Sequence, residues 1–143
     1  MRGLANEDAQ KNVPLGKTDY QAGDFSGDTK TTLDLEDDAA FCNWGGAWRM
    51  PTIGDFTTFL NGASSYTVGE GGSFTHQDVT FPAAGNGNGT DLNYAGANGS
   101  YWSSSLSTDY PLNAFFLSFD VGAILADSYN DRFRGGSVRP LSE

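Results

Sequence analysis

Glycine decides what kind of fold this chain can adopt. Nineteen of its 143 residues are glycine, spread through the middle and the C-terminal third, where missing side chains favour turns and tight corners over a helix bundle. Hydrophobic residues make up 38% of the chain and aromatic ones 13%, enough to build one core, and the length suits one domain. The expectation is a single, loop-rich α+β domain.

Charge removes several partners. Eight basic against eighteen acidic residues give a net charge of −10, a field that repels phosphate backbones and anionic membrane surfaces, so nucleic acid is not expected as a partner. No run approaches the roughly 18 apolar residues of a membrane span, and Met1 to Asp8 lacks the apolar core of a signal peptide. No membrane insertion is expected, and any targeting address would lie outside this chain. Cys42 is the only cysteine, which excludes an internal disulfide and a multi-cysteine metal site.

Residues 1–30 are polar and show no apolar period, and read as an N-terminal arm or the remnant of a longer parent; the domain proper spans 31–143. Thr32 offers an N-cap, and Asp34, Glu36, Asp37 and Asp38 fill a first helical turn, where negative charge complements the helix dipole. Leu35, Ala39 and Cys42 recur at helical spacing up to Gly45-Gly46. The acidic run reads as a solvated helix start, with no metal. In a second helix, Thr52 and Asp55 have capping-box spacing ahead of Phe56, Phe59 and Leu60, and Asn61-Gly62 closes it. Ser73 to Phe81, and the chain from Tyr101 onward, are rich in β-branched and aromatic residues and read as strands. Gly85 to Asp91 reads as a flexible surface loop, since one imperfect copy of a calcium-binding nonapeptide has no neighbour to stack on.

Catalysis is not expected. His76 is the only histidine, no Ser-His-Asp, Cys-His or zinc spacing is present, and Ser103-Ser104-Ser105 lacks a Gly-x-Ser-x-Gly setting. The chain is read as no enzyme, with no catalytic residue, no metal and no cofactor.

Several stretches carry a resemblance. Leu33 to Ala40 (LDLEDDAA) is followed by Asn43 to Thr52 (NWGGAWRMPT), then by Phe81 to Gly85 (FPAAG), Gly99 to Ser104 (GSYWSS) and the closing Gly136 to Pro140 (GSVRP). In this order, over residues 33 to 140, they resemble the signature of a bacterial and phage branch of the C-type-lectin-like fold, to which the formylglycine-generating enzymes also belong. The resemblance implies two helices packed on small twisted antiparallel sheets with much loop. Within that branch the chain resembles the variable proteins of diversity-generating retroelements, in which a reverse transcriptase rewrites the 3′ end of the gene at adenines and a fixed scaffold displays a randomised surface. The catalytic cysteine pair of the formylglycine-generating enzymes is missing here. None of the five prolines sits in the Glu-Pro-Asn or Gln-Pro-Asp setting of calcium-dependent sugar-binding lectins.

Composition provides a separate test. Randomising asparagine codons at their two adenines leaves a third-base pyrimidine, so Lys, Glu, Gln, Met and Trp cannot appear. Between Ser105 and Gly135, 31 residues, none of the five occurs, whereas Met1 to Ser104 holds three Lys, three Glu, three Gln, two Met and three Trp. At that frequency about four would be expected in the window. Residues 105–135 are therefore the expected variable region.

Strand alternation assigns faces within it. Phe115, Leu117 and Phe119 share one side and read as core, while Phe116, Ser118 and Asp120 share the other and read as display, with Phe116 an exposed anchor. The further candidate ligand-binding residues are Leu106, Ser107, Asp109, Tyr110 and Leu112 before this strand, and Asp127, Tyr129, Asn130, Asp131, Phe133 and Arg134 after it. Tyr110 and Tyr129 offer contact area and a hydroxyl at low entropic cost. Trp44, Trp48, Trp102, Phe119 and Val138 are expected to hold the scaffold, with Arg49 and Arg139 pairing to carbonyls or carboxylates.

The expected function is a ligand-binding display domain of a retroelement-diversified variable protein, in a phage receptor-binding or adhesin role. Its expected partner is an unknown cell-surface protein or glycan, with a parent polypeptide or a homo-oligomer as further associations. Its expected place is the surface of a phage particle or bacterial cell, or outside the cell. The alternative is an invariant lectin-like domain of a bacterial surface or pilus protein.

Overall fold

The computed structural model describes residues 30–61, 67–68 and 72–142, and the expected arm at 1–30 lies outside them except for Lys30. In chain order the elements are α1 (Ala39–Trp44), β1 (Trp48–Arg49), α2 (Ile53–Leu60), β2 (Thr67–Val68), β3 (Phe74–His76), β4 (Val79–Phe81), β5 (Asn86–Asn88) and β6 (Asp91–Asn93). The long strands β7 (Gly99–Leu106), β8 (Asn113–Phe119) and β9 (Ile124–Asp131) follow, and β10 (Leu141–Ser142) closes the chain against β1. The class is α+β: two short helices, small antiparallel sheets and much loop.

The sheet β7-β8-β9 is the centre. Cross-strand pairing sets Trp102 opposite Phe116 and Tyr101 opposite Leu117, so the two pairs face opposite ways. On the first face Trp102, Leu106 and Ala114 bury against Leu33, Ala39, Ala40 and Met50, with Phe116 and Val138 at the margin. On the second, Tyr101, Leu117 and Phe119 bury against Phe56, Phe74, Phe81 and Ala83. Gly99 makes the second packing possible: a Cβ there would lie 2.1 Å from the Phe119 ring.

Asp38 caps α1, its carboxylate accepting from the N–H groups of Ala40 and Phe41 and, across a turn, from that of Met50. Thr32 is therefore not the N-cap. It bridges Ser105, and Leu33 donates to the Ser104 carbonyl, so these residues lie along β7. Asp34, Glu36 and Asp37 fall in the turn before α1 and not in its first turn, with Lys30 paired to Asp34. The expected capping box of α2 is present, Thr52 accepting from the Asp55 N–H and Asp55 from the Thr52 N–H. Arg49 pairs with the same Asp55 carboxylate at 2.6 Å, which holds it well below the usual carboxylate range, at about 2.

Three expectations are corrected. Gly85 to Asp91 is no loose loop: β5 and β6 form a hairpin whose Gly89, at φ +61°, occupies the position a type II′ turn reserves for glycine. Trp44 is 58% and Trp48 42% exposed, because α1 ends at Gly45 after six residues and turns only Ala39 and Ala40 to the core. The two indoles pack on each other instead, 5.6 Å apart, while Trp102 alone is buried. Arg139 lies over the Phe81 ring at 5.8 Å, a cation-π contact in place of the expected carbonyl or carboxylate.

Candidate ligand-binding surface

One irregularity decides which side chains of the 105–135 window reach solvent together. Phe116 pairs with Ser128 while Ser118 pairs with Leu125, so β9 carries an extra residue between them. A one-residue shift in a strand moves every later side chain to the opposite face. The bulge thus brings Tyr129 opposite Phe115; in the register of Ser118 and Leu125 it would stand opposite Ala114, on the other face.

An exposed aromatic cluster results. Tyr129 packs edge-on to Phe115 at 6.3 Å and face to face with Tyr110 at 5.5 Å, the two tyrosine planes 8° apart. Tyr110 is 58% and Tyr129 52% exposed. The loop carrying Tyr110 is held by its own backbone: Tyr110 N–H donates to the Ser107 hydroxyl, and Asn113 N–H to the Tyr110 carbonyl. Arg132, buried beneath, donates its backbone N–H to Leu112 and its Nε to the Asn113 carbonyl. It ties this loop to the turn after β9. Two chain segments thereby present one platform with little ordering left to do on binding.

The other expected residues divide. Asp109 and Asp127 are exposed, Phe133 is at the edge of exposure, and Leu112, Asn130, Asp131 and Arg134 are half-buried. Arg134 stands 3.8 Å from Asp131 and 5.7 Å from the Phe133 ring centre. On the opposite face of the sheet, Phe116, Asn130 and Arg134 rim a shallow depression with Ser100, Trp102 and Asn86.

Four assignments need correction. Leu106 and Ser107 are buried, Leu106 within the core, because β7 has both faces covered at this point. Phe116 is no freely exposed anchor: it is half-buried, edge-on to Trp102 at 5.5 Å. Phe115, expected in the core, is half-buried and meets Tyr129. Asp120 stays exposed while accepting from the N–H groups of Gly122 and Ala123 in the β8-β9 turn, and half-buried Ser118 shares a hydrogen bond with Ser128.

Beyond this surface lies a groove the sequence did not announce, about 530 Å³, between α1 and the β5-β6 hairpin. Its walls come from residues 39–44, 84–92 and 135–138, three segments with no common local pattern. The exposure of Trp44 and Leu92 is the signal that locates it.

No protein-family model, curated protein or solved structure matched the chain.

Proposed function

We propose that this chain is a ligand-binding display domain with a C-type-lectin-like fold, diversified over residues 105–135 in the manner of retroelement variable proteins. It binds a cell-surface protein or glycan in a phage receptor-binding or adhesin role, without catalysis and without a cofactor. The observation that carries this reading is the stacked Tyr110–Tyr129 pair, more than half exposed and seated on a three-stranded sheet. Both rings lie in the window that lacks Lys, Glu, Gln, Met and Trp.

Large exposed rings held in place suit an interface, since contact area is offered at little entropic cost. Asp109, Asp127 and Asp131 around them, against Arg134, favour a partner surface with positive or neutral character. Rewriting the exposed Asp109, Tyr110, Asp127 and Tyr129 leaves the two cores intact, because none of them belongs to either, while the core residues within the window, Leu106, Ala114, Leu117 and Phe119, stay fixed on this reading.

Panning the folded domain against bacterial cell surfaces, followed by titration of the captured receptor with Tyr110→Ala and Tyr129→Ala, tests the reading. Each substitution is expected to weaken binding about thirtyfold, or about 2 kcal/mol. Unchanged affinity in both variants would place the ligand elsewhere.

A further inference from the structure

The groove between α1 and the β5-β6 hairpin has a chemistry of its own. Trp44 forms one wall, its plane supported by Trp48 at 5.6 Å. Leu92, 68% exposed, stands among the residues of the other wall, and Gly85, Gly87, Gly135 and Gly136 let a ligand approach the backbone. No charged side chain lines it. In a chain of net charge −10, such a lining offers an anion no counter-charge and a cation no carboxylate.

The lining is not wholly apolar. Asn43 donates one amide hydrogen to the Ala39 carbonyl at 2.7 Å, and an asparagine side chain has a second N–H and a carbonyl oxygen besides. Asn86 also lines the groove, adding a second side-chain amide; the small depression over the buried Trp102, about 10 Å³, shares Asn86, Gly135 and Gly136 with it but has no room for a ligand.

An exposed aromatic face and side-chain amides, with no charge, match one ligand class. From these observations we infer that the groove binds a neutral saccharide, one ring stacked on Trp44 and its hydroxyls directed toward the amides of Asn43 and Asn86. The volume falls within the roughly 300–1,000 Å³ usual for small-molecule sites. Purely apolar ligands would leave the amides unmatched. This site is separate from the Tyr110–Tyr129 surface and does not depend on it.

The test titrates the full chain with maltotriose, cellotriose and triacetylchitotriose, following indole fluorescence and saturation-transfer NMR. At least one is expected to shift the emission and saturate in the millimolar range. Trp44→Ala and Leu92→Arg, each at an exposed position, are expected to keep the wild-type melting temperature and weaken binding at least tenfold. Tyr129→Ala is expected to leave it unchanged. The inference is overturned if none of the three sugars binds up to about 10 mM, or if Trp44→Ala and Leu92→Arg bind as the wild type does. Binding lost only in Tyr129→Ala would overturn it too, by moving the sugar to the sheet surface.

Discussion

The rings of Tyr110 and Tyr129 stack 5.5 Å apart with their planes 8° from parallel, although eighteen residues lie between them in the chain. A loop and a strand edge are joined in one exposed surface. Removing either ring takes away little buried area and orphans no buried partner, so Tyr110→Ala and Tyr129→Ala are each expected to lower stability by about 1 kcal/mol or less. Thermal melts beside receptor titrations check this, and a loss of several kcal/mol would make the pair structural.

Alternating residues of β8 should separate into graded classes. Phe119→Ser truncates a core side chain that is 3% exposed and is expected to cost about 3 kcal/mol or more. Phe116→Ser removes a half-buried ring from Trp102, at about 1 to 2 kcal/mol. Phe115→Ser, whose main contact is the exposed Tyr129, is expected to cost the least. Denaturant unfolding of the three variants checks the order; Phe115→Ser as the most damaging would mean that the faces of β8 are reversed.

Gly99 faces Phe119 across the β7-β8 pair, and an added methyl would penetrate its ring. Gly99→Ala is expected to destabilise by about 1 to 3 kcal/mol through overpacking. A paired Gly99→Ala, Phe119→Leu variant should recover part of that loss if the collision is the cause, and calorimetry on both decides it.

Acid sensitivity should reside in part at Asp55. The Arg49 guanidinium and the capping box lower its folded-state pKa to about 2, below the unfolded value, so the stabilisation is full above about pH 4 and is lost as pH falls through about 2. The pair is partly exposed, so solvent screening reduces the effect to about 1 kcal/mol. Asp55→Asn is expected to melt lower than wild type at pH 7, with the gap closing toward pH 2. A gap independent of pH would show that the carboxylate charge is not what matters.

What the sequence made legible was local. Thr52 and Asp55 lie three residues apart, and the capping box they form depends on nothing distant. The alternation placing Leu117 and Phe119 in the core is likewise carried by neighbouring residues. The exposure of Trp44 was hidden because Leu35, Ala39 and Cys42 keep helical spacing, while the carboxylate of Asp38 starts the helix later. The bulge in β9 leaves no local mark either, since it arises from pairing with β8, and it alone decides that Tyr129 meets Phe115. The groove draws on three distant segments and becomes visible only when they are folded together.

The proposal that residues 105–135 are rewritten while the scaffold stays fixed is tested most directly by sequencing this gene from many sibling isolates. The account predicts substitutions concentrated at adenine-derived codon positions in that window, with exposed Tyr110, Asp127 and Tyr129 among the varying residues and Leu117 and Phe119 constant. A window as constant as residues 33–104 would contradict it.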